Sequence, residues 1–387
     1  MRILHVTDVY HPRVGGIEVF VDDLAGRQSA RHDVTVLTTT PARRGHDPLP
    51  DGPVQVARVP RSTPYGLLAA RLPVRLDEYD VVHAHLSVVS PFATLVARRA
   101  AAAGLPCVLT VHSMWGGNPA VVRTVRTLSG WSRWPVVWTT VSRAAARDVR
   151  SALPGAHVLV VPNAVDVDWW REHAAVPSDE RPMTIVAVMR LAGRKRPLEL
   201  VRALAQVRRS VPADVPLRAV LVGDGPLAGP VAAAVERHQM TDWVELPGYL
   251  TRSQIRDLYA EADVHVAPAF RESFGIAALE ARAAGLPVVA MRSGGVGEFI
   301  LDGVEGMLCL DDSEMAHALT HLATRPATRR AMAAHNVAVR PDLDWERVLD
   351  ETDDAYQQAE VRVSLAPAGR GARRRATSRL RTAALRD

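Results

Sequence analysis

Lysine is almost absent from this 387-residue chain: of its 47 basic residues, Lys195 is the single lysine and the rest are arginine. A chain that writes generic positive charge as arginine marks its one lysine as a candidate for a place where a guanidinium will not do. Lysine offers a compact ammonium on a flexible stem, suited to one phosphate oxygen or a crowded pocket, whereas arginine carries a wide planar fork. Lys195 sits in Val188-Met189-Arg190-Leu191-Ala192-Gly193-Arg194-Lys195-Arg196-Pro197, a basic loop directly after an apolar run. Loops at the carboxyl ends of strands are where open α/β sheets bind ligands.

Other shortages exclude whole classes. Only two cysteines occur, Cys107 and Cys309, each in an apolar strand-like stretch; they read as core thiols in a reducing compartment. No CxxC, HExxH or close His/Cys cluster appears, so no metal site is expected. No run of about 18 apolar residues exists, so no membrane-spanning helix is expected. The opening Met1-Arg2-Ile3-Leu4-His5-Val6-Thr7-Asp8 is too short an apolar stretch for a signal peptide, which predicts a cytoplasmic protein. Acid is scarce only at one end: residues 361–387 hold eight arginines against Asp387 alone, and the body is near neutral. That tail is expected to be disordered. A solvated end is its default, with contact to anionic lipid at the inner face of the plasma membrane the alternative; no nucleic-acid partner is expected. Oligomeric state stays open.

What is present is strand–helix alternation. Ile3–Val6, Val34–Thr38, Val54–Val59, Val81–His85, Val108–His112 and Val158–Val161 read as buried strands, with helices such as Glu18–Ala30, Pro91–Ala103 and Arg143–Ala152 between them. The pattern pauses near residues 165–182 and restarts in the same form at Thr184–Met189, followed by a helix over Pro197–Ser210 and a strand over Leu217–Val222. This grammar predicts an α/β chain of two Rossmann-like, doubly wound domains. Their bounds are placed at 1–168 and 182–340, with a C-terminal helix in 341–360 packing back toward the N-terminal domain and the tail from 361.

The sharpest constellation is Arg271-Glu272-Ser273-Phe274-Gly275-Ile276-Ala277-Ala278-Leu279-Glu280. Glu272 lies in a loop entering a helix and Glu280 about two turns inside it. Ser273, Phe274 and Gly275 then offer backbone N–H groups at a helix N-terminus, where a phosphate or sugar hydroxyl is welcome. Glu280 is placed to hydrogen-bond a diol such as a ribose. The bland alternative is an ordinary N-terminal acid and a solvated helix glutamate.

This pair resembles the E-x7-E motif of the retaining GT-B glycosyltransferases of family GT4. Other landmarks follow in that family's order: Gly15-Gly16, His112, Pro162-Asn163-Ala164-Val165-Asp166, Arg190 with Lys195, Gly223-Asp224-Gly225-Pro226, and Gly294-Gly295. The resemblance covers roughly residues 1–360 and rests on the combination, since each piece alone is weak. Ala164 and Arg196 depart from it, each standing where the family often carries glycine.

The resemblance implies a donor sugar on a nucleoside diphosphate, UDP-sugar first and GDP-mannose second, with no metal or other cofactor. It implies that Arg190 and Lys195 neutralise the leaving diphosphate and that Glu272 contacts the donor sugar. Glu280 would hold the ribose, the Gly223-Asp224 and Tyr249-Leu250 loops would frame the base, and His112 would lie near the reacting carbon or the sugar's 6-hydroxyl. Gly15 and Gly16 would let the backbone approach the diphosphate or acceptor. The acceptor, a small molecule or a lipid-linked one, is expected on the N-terminal domain. Arg58–Leu76 and Met114–Trp138 are candidates there, the latter because Trp115, Trp131, Trp134 and Trp138 interleave with arginine as at a membrane interface; a partly buried helix would carry the same pattern. Competing enzymes on this architecture are a sugar-nucleotide epimerase, which needs no acceptor groove, and a phosphorylase with a pyridoxal-bearing lysine. A non-catalytic nucleotide-sugar binder is the third alternative.

Overall fold

Parallel strands covered on both faces need near-continuous apolar runs, a rule that the edge strand Val54–Arg58, buried only at its first residue, escapes among the first seven strands. They are β1 (Arg2–Thr7), β2 (Asp33–Thr38), β3 (Val54–Arg58), β4 (Val81–Leu86), β5 (Cys107–Val111), β6 (Val137–Thr140) and β7 (Val158–Val160). All pair in parallel, in the order β3-β2-β1-β4-β5-β6-β7. Every residue of β4 and of β5 is buried. The crossovers include α1 (Gly16–Gln28), α2 (Pro91–Ala102) and α3 (Arg143–Ala152). The computed structural model describes residues 1–13, 15–42, 53–59, 72–116, 130–131, 134–174 and 181–366, and elements are numbered among these.

A second parallel sheet follows: β8 (Met183–Val188), β9 (Leu217–Val222), β10 (Val244–Gly248), β11 (Val264–Ala267), β12 (Val288–Met291) and β13 (Gly306–Cys309). Its order is β10-β9-β8-β11-β12-β13. Its helices are α4 (Val167–Arg171), α5 (Pro197–Ser210), α6 (Ala228–Arg237), α7 (Arg252–Ala260), α8 (Ile276–Ala283), α9 (Asp312–Thr324) and α10 (Pro326–Ala338). Pro197 and Pro326 open α5 and α10, where a missing N–H costs nothing. Each sheet has its own apolar core.

The chain divides into one unit of Met1–Pro162 with Glu346–Asp387, and another of Asn163–Trp345. The boundary therefore falls six residues before the expected 168: Asp166 caps α4 by accepting from Trp169 N–H, and α4 packs on α8 of the second unit. The last helix, α11 (Trp345–Leu365), runs past the expected start of the tail at 361. Residues 367–387 lie outside the described residues, as do most of the two acceptor candidates. Of the tryptophans, Trp115, Trp131 and Trp138 are core residues. Their ring centroids lie 5.5–6.1 Å apart, one pair stacked, one edge-on and one tilted, so the interfacial reading of these three gives way to packing. Both cysteines are buried free thiols; burial pushes Cys309 up to about 12 and Cys107 higher still.

Candidate functional site

In the second unit the strand order turns at β8, which lies between β9 and β11. The loops leaving β8 and β11 run to opposite sides, and such a switch point is where doubly wound sheets bind ligands. Lys195 lies in the first loop and Glu272 in the second, and the Lys195 ammonium donates to Glu272 Oε2. The side chains are only 21% and 13% exposed, so each charge is largely compensated by the other.

The approach to Lys195 is unusual. After a single 3₁₀ turn over Gly193–Lys195, Arg196 takes φ 58°, in the left-handed region. Glycine is at ease there and other residues are strained, which accounts for glycine in the family pattern. Side-chain contacts offset the strain. The Arg196 guanidinium donates to both carboxylate oxygens of Asp312 (2.8 and 2.7 Å) and to Pro268 O (3.1 Å). It also lies 4.2 Å over the Phe270 ring.

Arg190 is exposed, and its backbone is seated by the turn after β9. Met189 N–H donates to Val222 O (3.0 Å) and Leu191 N–H to Asp224 O (2.9 Å). Gly223 has φ 132°, and a Cβ there would lie 1.9 Å from Met189 O. The visible task of Gly223-Asp224 is thus to shape the Arg190 loop. Leu250 is half-buried beside exposed Tyr249, just before the Thr251–Gln254 capping box of α7.

Gly275 caps α8 with φ 98°, and a Cβ there would meet Val296 Cγ2 at 2.5 Å. Gly295 N–H donates to Glu272 O (2.8 Å), and a Cβ on Gly295 would lie 2.4 Å from Ser273 O. Phe274 is buried, its ring 5.2 Å from Phe299. Glu272-Ser273-Phe274-Gly275 is therefore moulded by close backbone contact. Ala278 and Leu279 N–H both donate to Gly275 O (3.0 and 3.1 Å), and the start of the helix ahead of them carries partial positive charge. Glu280 is the fifth helical residue, one turn in and not two. It is buried, with the Arg252 guanidinium 3.5 Å from its carboxylate.

In the first unit, Gly15 precedes α1 with extended backbone and Gly16 opens the helix. A Cβ on Gly15 would lie 2.6 Å from Glu18 Oε2. Glu18 is buried and paired with Arg13 (3.0 Å), so this helix start already faces a carboxylate. His112 lies one residue beyond β5, its backbone N–H donating to Leu86 O (2.9 Å). Its Nε2 is 3.0 Å from His85 Nδ1. Burial lowers its pKa to about 3, so the ring is neutral.

Sequence reasoning missed what stands behind His112. His85 Nε2 is 2.9 Å from His5 Nδ1, and His5 Nε2 is 2.7 Å from Gln28 Oε1. Gln28 Nε2 donates to Tyr356 on α11 (3.1 Å), whose hydroxyl is 2.9 Å from His83 Nδ1. One nitrogen from each of His5, His83 and His85 lies within 4.8 Å of the others, a grouping that the expectation of no histidine cluster overlooked. Every ring nitrogen in it already has a protein partner, His83 Nε2 meeting Thr110 (2.6 Å). The available signal was His83-Ala84-His85 in a buried strand, where alternation puts both imidazoles on one face.

Two doubly wound parallel sheets, the second carrying a lysine–glutamate pair at its switch point, define the fold class of the GT-B glycosyltransferases. Residues 14–169 match the family described as Glycosyltransferase Family 4 and residues 182–325 that described as Glycosyl transferases group 1; the chain belongs to this glycosyltransferase family. It is 28% identical to one component of the phosphatidylinositol N-acetylglucosaminyltransferase of Arabidopsis thaliana, over 93% of this chain and 82% of that one. It is 29% identical to a glycogen synthase of Mycobacterium tuberculosis (93% and 95%). It is equally identical to a GDP-mannose-dependent alpha-(1-6)-phosphatidylinositol monomannoside mannosyltransferase of Mycolicibacterium smegmatis (87% and 92%). Among solved structures, Anabaena Alr3699/HepE in complex with UDP-glucose superposes with a TM-score of 0.72 at 22% identity, covering 92% of this chain and 99% of that one.

Proposed function

We propose that this glycosyltransferase moves a hexose or N-acetylhexosamine from a nucleoside-diphosphate sugar to the hydroxyl of a small-molecule or lipid-linked acceptor, with retention and without a metal ion. The observation that carries the proposal is the set of groups at the second unit's switch point: Arg190, Lys195 and the amide end of α8. Transfer from a nucleotide sugar builds negative charge on the departing diphosphate, and preorganised cations and amides aimed at that charge lower the barrier. Lys195 and Arg190 supply the cations, and Ser273, Phe274 and Gly275 the amides. In this reading Glu272 holds Lys195 in place and contacts the donor sugar, while Glu280 takes the ribose. Leu250 and the Gly223-Asp224 turn border the base, and in the first unit His112 and Gly15-Gly16 are the residues assigned to substrate contact.

UDP is favoured as the carrier and GDP second; the UDP-glucose complex of the Anabaena protein and the GDP-mannose dependence of the mycobacterial relative support these two. Two relatives are named for phosphatidylinositol substrates, which supports a lipid-linked acceptor reached by peripheral membrane contact. The test is calorimetric titration with UDP, GDP and ADP in EDTA. Micromolar binding of one nucleotide, lost in Lys195→Ala, is the expected result. No binding of any of the three would sink the metal-free diphosphate site.

A further inference from the structure

The buried chain behind His112 has a direction. Glutamine's Oε1 only accepts, so His5 Nε2, 2.7 Å away, carries a proton. A neutral imidazole has one N–H and one lone pair, and burial keeps His5 neutral, its pKa lowered to about 4. His5 Nδ1 therefore accepts, and the proton in its 2.9 Å contact belongs to His85 Nε2. Burial holds His85 well below its usual range as well, so His85 Nδ1 accepts from His112 Nε2 at 3.0 Å. The other arm agrees. The Gln28 amide donates to the Tyr356 hydroxyl, which donates to His83 Nδ1, leaving the His83 Nε2–H for Thr110. Turning the Gln28 amide over would reverse every one of these bonds.

We propose that Gln28, through His5 and His85, is a positioning residue that fixes His112 as the Nε2–H tautomer. Nδ1 is then left as a lone-pair acceptor for a substrate hydroxyl. The kinetic part rests on the functional reading above; the tautomer does not. A histidine that touches substrate is useful only when the correct nitrogen carries the proton, and that is set by the hydrogen bond at its other nitrogen.

The experiment is long-range ¹H–¹⁵N correlation on the full chain with ¹⁵N-histidine, which separates protonated from bare ring nitrogens, together with donor kinetics. In the parent, His5, His85 and His112 each show protonated Nε2 and bare Nδ1. Gln28→Met, close in shape but without an acceptor oxygen, gives a mixture of His112 tautomers. It also lowers kcat on the order of tenfold, a fraction of the loss where a catalytic imidazole is forced wholly into the wrong tautomer. Gln28→Glu keeps the acceptor and restores both the parent His112 signal and most of the turnover. A parent His112 protonated at Nδ1, or a Gln28→Met spectrum equal to the parent's, overturns the proposal. Mixed tautomers with undiminished kcat overturn the positioning role. Absence of any nucleotide-sugar turnover in the parent, with the tautomers as stated, would instead strike the functional reading.

Discussion

Lys195 and Glu272 join the loop after β8 to the loop before α8 through one ammonium–carboxylate contact. Both groups are mostly shielded from water, so removing the ammonium leaves the Glu272 carboxylate uncompensated, at a cost of about 3 kcal/mol unless it takes up a proton or water. Lys195→Ala is therefore expected to keep the fold but to melt several degrees below the parent. Turnover should fall by about a hundredfold or more, the cost of removing one group that stabilises developing charge. Lys195→Arg should also be severely impaired, because a planar fork does not fit the place of a point charge. Parent-like kcat/KM in the alanine variant would remove Lys195 from the site.

Arg196 gives a test of backbone strain against side-chain contact. Arg196→Gly loses the Asp312 clamp and the Phe270 contact but relieves the left-handed backbone. Arg196→Ala loses both contacts and keeps the strain, which is worth about 1–2 kcal/mol. The alanine variant should thus be the less stable of the two by about 1 kcal/mol in urea unfolding. The reverse order would mean that position 196 is not held left-handed in solution.

Two glycines should respond oppositely to alanine. At Gly223 the added methyl meets Met189 O at 1.9 Å on a backbone with φ 132°, so Gly223→Ala should displace the Arg190 loop and cost more than about 1 kcal/mol. At Gly26, inside α1, a Cβ meets nothing within 4 Å, and alanine should stabilise by about 0.5–1 kcal/mol. Donor affinity should drop only in the first. Equal effects on affinity would disconnect the turn from the Arg190 loop.

Acid should weaken the first unit in a defined window. Burial lowers the pKa of His5 to about 4 and of His112 to about 3. Unfolded, these groups bind protons below about 6.5; folded, they do so only at the lowered values. The unfolded chain then holds more protons, and stability rises with pH. The contribution is complete above pH 6.5 and is lost as pH falls toward 4, at about 1.4 kcal/mol per pH unit for each such histidine. Calorimetric melting at pH 5 and pH 7.5 checks it; equal melting temperatures would contradict burial of neutral rings.

Much of the sheet framework was legible because buried parallel strands announce themselves as apolar runs. The strand Leu217–Val222 falls where expected, as do the helices Arg143–Ala152 and Pro197–Ser210. The strands Val244–Gly248 and Gly306–Cys309 were not foreseen. Both are edge strands of the second sheet, short and half polar or glycine-led, so periodicity says little about them. In the site, Glu272 and Lys195 were each readable from residue type and loop position. Their pairing was not, since 77 residues separate them and only the strand order brings the loops together. The Gln28–His5–His85–His112 chain was illegible for a similar reason: its members come from four elements, and each alone reads as a buried polar residue.

The solitary ammonium at the switch point is also a reporter that needs no engineering. Besides Lys195, the chain's amino terminus is the one other primary amine in the sequence. A sample carrying isotope only in its lysine side chains therefore yields one ε-methylene signal, with no assignment to make. Because that ammonium is bonded to Glu272, a ligand that draws it away changes the signal directly. The same uniqueness lets a mild acylating reagent, followed by mass spectrometry, count how often the pair opens.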